Sequence, residues 1–327
     1  MGQTMSKPRI SIIMPTLNSV KFIRYAIDTV IKQSFTGWEL IVMDGGSVDG
    51  TIEVVKNLAK PNIHLFSEPD HGSYEAFIKG ADMAHGDYLM GLTSSDGYLD
   101  DDWLQLCVDA LDSDSEISLV WGIPAYCTEE GTVGGPHSTF AQFLKRRTMF
   151  GRIWRAVRSK YQGRSSERVF SKLLQIATYG QPRSLVSPFI NIFVRNFVRL
   201  GYEDIQKQLW FDFWLDSAIC FPDGNMCFRR NIYDKCMPKV IQGGRAQDDI
   251  AQFFFNFNQM GFLSLCIPRI ANFGRTHAGQ IGEIFRTERQ KEAEKYFVQV
   301  RNYSEEVRSK KKTHSFRNGS GEIISQW

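Results

Sequence analysis

A chain of 327 residues, 43% hydrophobic and 23% charged, can bury a substantial core as one large domain or as one domain with an attachment. The formal net charge of +3 selects no class of partner, because the distribution of charge matters more than its sum. No apolar run approaches the ~18 residues of a membrane span, and the opening "MGQTMSKPRI" lacks the apolar segment of a secretory leader. Gly2 followed by Ser6 fits a myristoylation motif only superficially, since that motif is short and common. The six cysteines include no C-x-x-C pair and several lie in apolar surroundings, so they read as buried reduced thiols rather than a zinc site or a disulfide framework.

Two patterns alternate over the first 125 residues. "RISIIMP" (Arg9–Pro15) is a short, nearly continuous apolar run, as in a buried strand. "VKFIRYAIDTVIKQSF" places Phe22, Ile23, Ala26, Ile27, Val30 and Ile31 at helical spacing. "WELIVMD" (Trp38–Asp44) is a second buried strand, and "DGTIEVVKNLAK" a helix opened by Asp49. "NIHLFSEPD" is a third strand, followed by the helix "SYEAFIKGADMA" with Ser73 as its expected cap. "DYLMGLTSSD" is a fourth strand, "DDDWLQLCVDAL" a helix, and "ISLVWG" (Ile117–Gly122) a fifth strand. Such alternation predicts an α/β fold, a Rossmann-like open and mostly parallel sheet with flanking helices.

The character changes between Lys145 and Lys172, where ten Lys/Arg face the single acid Glu167 and alternate with Phe150, Ile153, Trp154, Val157 and Tyr161. With the apolar, Arg-bearing "SPFINIFVRNFVRLGY" this reads as a mostly helical insertion over 140–215. Segment 143–172 is either a solvated helical face packed on the rest of the protein or, more sharply, a contact with an anionic membrane surface. Nothing besides charge supports nucleic acid as a partner, and none is expected. Next, "CFPDGNMCFRRNIYDKC" returns to the sheet, "AQDDIAQFFFNFNQMGF" is a helix with acids at its start, and "LSLCIPRIANFGRTHAGQ" is a strand and loop. The tail from 283 begins with an amphipathic charged helix, and its last dozen residues are expected to fray.

In an open α/β sheet a ligand binds beyond the carboxyl ends of the strands. Those ends carry Pro15-Thr16-Leu17-Asn18, Asp44-Gly45-Gly46-Ser47, Glu68-Pro69-Asp70-His71-Gly72 and Ser94-Ser95-Asp96-Gly97. All are small, polar or acidic, and parallel strands should bring them to one edge. Asp44 reads equally as an Asp-Gly turn or as a ligand-binding group. Asp100, Asp101 and Asp102 sit where acids favour the start of a helix. Asp96 comes too early to cap that helix and is the candidate for chemistry: one carboxylate can hold Mg²⁺ when a substrate's phosphates and water supply the other ligands. There is no G-x-G-x-x-G and no G-x-x-x-x-G-K-[ST], which disfavours a nicotinamide enzyme and a P-loop nucleotidase.

These motifs carry a resemblance. "ISIIMPTLNSVKFIRYAIDTVIKQSFTGWELIVMDGGSVDGT" and "EPDHGSYEAFIKGADMAHGDYLMGLTSSDGYL" resemble the family 2 inverting glycosyltransferases of GT-A fold, in particular the branch acting on bacterial surface polysaccharides. The resemblance covers residues 8–125 well and 220–280 loosely. It implies that Pro15, Thr16, Asn18, Asp44 and Gly45 hold the base and ribose of a nucleotide-sugar donor, a UDP-sugar first among them. Asp70 and Lys79 would lie near the base or phosphates. Ser94, Ser95 and Asp96 take the place of the family's Asp-x-Asp motif, with Asp96 binding Mg²⁺ or Mn²⁺. Asp248, and after it Asp249, would be the catalytic base, and His277 would lie near the diphosphate. The implied division is a donor-binding half over 8–139, the insertion over 140–215, an acceptor-side half over 216–282, and a C-terminal helix with its tail over 283–327. The implied acceptor is a glycan or lipid-linked glycan, and the implied location is cytoplasmic or peripheral on the inner face of the plasma membrane. The sequence departs from the pattern at Ser94, Gly97, Ile78 and Gln247, which leaves open a non-catalytic nucleotide-sugar-binding or assembly subunit.

Overall fold

The computed structural model describes residues 7–136, 203–238, 248–277 and 286–326. Segment 143–172, and with it most of the expected insertion, lies outside the described residues. The apolar runs become strands of one nine-stranded sheet ordered β3-β2-β1-β4-β8-β6-β9-β5, with β7 (Val133–Pro136) paired to β6. Its first half is parallel: β1 (Ile10–Thr16) lies between β2 (Trp38–Asp44) and β4 (Tyr88–Gly91), and β3 (Ile63–Ser67) flanks β2. These strands alternate with α1 (Ile23–Ile31), α2 (Thr51–Lys56), α3 (Ser73–Met83) and α4 (Trp103–Ser113), as the periodicity predicts. Ile10, Ile12, Ile13 and Met14 of β1 are all fully buried, since helices cover both faces of a parallel strand.

Sheet order departs from chain order after β4. The short β8 (Cys227–Arg229) inserts antiparallel between β4 and β6 (Ile117–Cys127). Next to β6 runs the long parallel β9 (Leu263–Arg275), which also pairs with β5 (Gly97–Tyr98). A rigid turn holds β8 in place: the Asn225 side chain bonds both backbone groups of Gly122 and the Asn272 Oδ1, and the Asn225 carbonyl accepts from the buried Trp103 indole at 3.2 Å. Helix α5 (Glu203–Ser217) contributes Trp210 and Trp214 to the core, beside Phe253, Phe254 and Phe257 of α7 (Asp248–Gln259). All six cysteines are free thiols. Among the described residues no helix is long and apolar enough to cross a membrane.

Several local expectations are corrected. Ser73 is the first residue of α3 and caps nothing; Gly72 holds the cap position, and the first-turn Glu75 reaches back to the His71 amide at 3.0 Å. Asp49 acts one residue before the formal cap: it accepts from the Thr51 amide and ties α2 to the preceding loop through the Val20 amide. Asp102 occupies the cap of α4 without bonding its amides and accepts instead from Ser34 at 2.8 Å. Asp100 does serve the start of α4, its Oδ1 accepting from the Asp102 amide at 3.1 Å, but it is also buried and paired at 2.5 Å with Arg269 of β9.

The expected frayed tail is folded. After α6 (Arg230–Cys236) and the C-terminal α8 (Arg286–Arg308), β10 (Ser315–Arg317) and β11 (Ile323–Gln326) form an antiparallel pair. Phe316 is buried, and the Gly319 amide bonds the Ser115 carbonyl at 2.9 Å. Gly261, at φ +78°, makes room for this hairpin: a Cβ there would lie 1.8 Å from the Ser315 carbonyl oxygen. His314 is 1% exposed, stacks on Phe211 at 3.8 Å and meets the Tyr303 hydroxyl at 2.9 Å, while its Nε2 has no partner.

Burial lowers the His314 pKa to about 4, so the native state binds its proton less readily than the unfolded chain. This neutral-imidazole contribution is whole above about pH 6.5 and is lost as pH falls towards 4, up to about 3 kcal/mol. Urea titrations across that window should show stability rising with pH. His314→Phe should flatten the slope, whatever it does to stability at neutral pH.

Candidate functional site

Because β3, β2, β1 and β4 run parallel, their exits share one edge, and the exit loops bond to one another. At the end of β1, Thr16 is buried, with its hydroxyl on the Met14 carbonyl, and Pro15 is half-buried. Asn18 adopts φ 46°, a conformation asparagine tolerates better than most residues. In that conformation its amide reaches Ser47 Oγ at 2.7 Å and its Oδ1 accepts from the Val48 amide at 3.1 Å. Ser19 links this loop to the β4 exit through Ser94, 2.7 Å between hydroxyls.

Asp44 ends β2 and is 2% exposed. Its carboxylate accepts from the Gly46 and Ser47 amides and from the hydroxyls of Ser47 and Ser67. Both turn and edge are thus served by one group: Asp44 orders its own loop and ties it to β3. Gly45 follows, its amide on the Thr16 carbonyl at 2.9 Å. A Cβ at Gly45 would sit 3.0 Å from Asp70 Oδ2, so glycine lets the Asp70 carboxylate lie against the β2 exit. Burial raises the Asp70 pKa, with Glu75 and Asp44 pushing the same way against the Gly72 amide and Lys79. Lys79 pairs with Glu68 at 2.7 Å and Glu75 at 2.8 Å, and holds Glu75 down to about 2.

Asp96 closes the β4 exit. Its Oδ1 accepts from the Arg275 amide at 2.9 Å. Burial pushes its pKa up to about 6, and neighbouring Asp223 adds to the rise. Among the described residues no cationic side chain pairs with it. The donors at hand, two carboxylates and the serine hydroxyls, are hard oxygen ligands suited to Mg²⁺ or Mn²⁺. No group of three or more metal-ligating side chains occurs among the described residues, so a cation at Asp96 would take its remaining ligands from a substrate and water. His277, just past β9, packs at a tilt against Phe22 with ring centroids 4.8 Å apart, and burial lowers its pKa, which favours the neutral imidazole. Asp248 and Asp249 are the first two residues of α7.

Two residues at this edge escaped the sequence reading. Asp223 lies on the turn before β8, where the adjoining Gly224 would place a Cβ 3.7 Å from Asp96 Oδ2. Arg275 ends β9. The exit of β9 carries "GRTH", while "PDG" leads into β8, whose antiparallel run brings its entry to the edge where the parallel strands exit.

Asp44→Ala should strand four donors and cost about 2–4 kcal/mol in urea unfolding. Hydrogen exchange should quicken at Gly46 and Ser47 while β1 stays protected. An Asp44→Ala protein with unchanged stability would contradict this assignment.

Residues 11–170 match the family model for glycosyl transferase family 2, past residue 125 where the resemblance fades. A PGL/p-HBAD biosynthesis glycosyltransferase of Mycobacterium bovis is 31% identical over 122 residues, 36% of this chain and 47% of that protein. An uncharacterised glycosyltransferase of Haemophilus influenzae is 32% identical over 130 residues, 39% of this chain and 51% of that protein. The chain spans about half the length of these relatives. Among solved structures, a mannosyltransferase from Pyrobaculum calidifontis in complex with GDP-Man and Mn²⁺ superimposes with a TM-score of 0.51 at 15% identity, covering 90% of this chain and 65% of that one. That likeness concerns the fold, which is GT-A. The match to glycosyl transferase family 2 is thus carried by residues 11–170, just under half of the chain.

Proposed function

We propose that this protein transfers a sugar, with inversion, from a nucleotide-diphosphate donor to a hydroxyl of a glycan or lipid-linked glycan in surface-polysaccharide biosynthesis. The observation that carries the reading is the convergence of Thr16, Asn18, Asp44, Asp70, Ser94 and Asp96 on one sheet edge, where Asp96 has no cationic partner among the described residues. A UDP-sugar is the first candidate donor. The likeness to a mannosyltransferase solved with GDP-Man keeps a GDP-sugar in view, and the mycobacterial relative is named for PGL/p-HBAD biosynthesis.

In this reading Pro15, Thr16, Asn18, Asp44 and Gly45 shape the base and ribose site, with Asp70 and Lys79 beside it. Asp96 would hold Mg²⁺ or Mn²⁺, which when bound supplies positive charge to offset that of the departing diphosphate. Ser94 bonds Ser19 through its hydroxyl and brings no carboxylate charge to the position of the family motif's first acid. Neutral His277 would donate or accept a hydrogen bond near the diphosphate. Asp248 would take the acceptor hydroxyl's proton as its oxygen bonds the anomeric carbon and the bond to the diphosphate breaks on the opposite side. Asp249 is the second choice. The protein would work in the cytoplasm, and segment 143–172 could set it on the inner face of the membrane, close to a lipid-linked acceptor.

The engaged Ser94, together with Gly97, favours one competitor: a subunit that binds nucleotide sugar without turning it over. A panel of UDP-, GDP- and dTDP-sugars with Mn²⁺ or Mg²⁺, read as nucleoside diphosphate release, separates the two. One donor should be hydrolysed or transferred. Asp96→Ala and chelation should each lower the rate by about a hundredfold or more. Asp248→Asn should lower the rate while leaving donor affinity within about threefold. Donor binding without release in the presence of a glycan acceptor would establish the binding subunit instead.

A further inference from the structure

Arg275 is the last residue of β9 and is 5% exposed, yet among the described residues no carboxylate forms an ion pair with it. A buried guanidinium ordinarily needs a counter-charge or a full set of acceptors. Here the acceptors are main-chain carbonyls. Nε donates to Ser95 at 3.0 Å, and Nη1 to Thr128 at 3.1 Å and Glu129 at 3.0 Å. The rings of Phe22, Tyr25 and Phe273 surround it, with centroids 5.1, 5.7 and 5.3 Å from the guanidinium carbon. The residue's own amide holds Asp96. One side chain therefore joins the Ser95-Asp96 loop, the β1–α1 loop with α1, and the turn between β6 and β7. That turn is fastened from its other side by Lys21 on Glu129.

We propose that Arg275 is a positioning residue for the nucleotide-diphosphate site: through its fork of carbonyl contacts it fixes the Ser95-Asp96 loop against the β6–β7 turn, and so fixes the aim of the Asp96 carboxylate. The inference rests on the reading of Asp96 as the cation ligand. The contact pattern separates it from a plain core contact. Every hydrogen bond from the guanidinium ends on a loop at the exit edge. A lysine would keep the charge but not the planar fork. An outer residue of this kind is worth about ten- to a hundredfold in metal affinity.

The test uses the full chain, with Mn²⁺ plus UDP and Mn²⁺ plus GDP as probes. Bound Mn²⁺ is read by electron paramagnetic resonance, and folding by circular dichroism on the same samples. Arg275→Lys and Arg275→Met should both stay folded and bind Mn²⁺ with nucleotide about tenfold or more weakly. A wild-type-like affinity in both variants would overturn the proposal, and so would recovery in Arg275→Lys alone, which would leave charge without geometry. If neither variant folds, hydrogen exchange on the wild type decides: Mn²⁺ with nucleotide should slow residues 93–96 and 128–131 together, and protection of the first group alone overturns the proposal. A wild type that binds neither probe would sink the underlying reading of Asp96 and the inference with it, whereas tight wild-type binding with unchanged variants sinks the inference only.

Discussion

Everything at the candidate site follows from β1 being hydrogen-bonded in parallel to β2 on one side and to β4 on the other. Parallel pairing with helical crossovers fixes direction as well as neighbours, so the exits of these strands cannot scatter over the surface. Thr16 aligns with Asp44, and Asp44 with Ser67, in continuous register. A slip of one residue would turn Asp44 to the opposite face and break its bonds to Ser47 and Ser67. The fully buried isoleucines of β1 resist such a slip, because it would exchange every side chain between the two covered faces. Core packing and loop chemistry are therefore one constraint seen at two ends of the same strand.

Within that frame the acids at the edge have different work, set by their partners. Asp44 is saturated by amides and hydroxyls and stiffens a loop. Asp100 is neutralised by Arg269 and joins α4 to β9. Asp49 joins two loops. Asp96 has an amide on one oxygen, another carboxylate nearby and, among the described residues, no cationic side chain, an arrangement in which its charge is poorly compensated. A divalent cation would compensate it, and the donor atoms around it are of the type such a cation accepts.

Much of the parallel half was legible because buried strands announce themselves as unbroken apolar runs and helices by their period; β2 was read to the residue and the ends of β1 to within one. The exits were legible as a set because parallel topology converts sequence position into place. What failed was whatever depends on distant partners. Nothing local in "MCFRR" indicates that β8 will wedge antiparallel between β4 and β6. Asp100 reads as a helix-start acid, which it is, but its ion pair with Arg269 comes from 169 positions later. The tail composition, rich in Ser, Gly and Asn, suggested fraying, but Phe316 and the open space at Gly261 give the hairpin a seat. Ser73 looked like a cap because serine favours that position, whereas the turn needed the positive φ that Gly72 supplies.

The most direct test is a crystal structure of the full chain with Mn²⁺ and the nucleoside diphosphate of whichever donor the protein turns over or binds, with anomalous scattering used to place the metal. The expected result is a manganese peak within coordination distance of Asp96 and the diphosphate, with the base and ribose lying along the exits of β1 and β2. Nucleotide bound elsewhere on the molecule, or manganese on the diphosphate with Asp96 out of its reach, would contradict the assignment of this edge as the donor site.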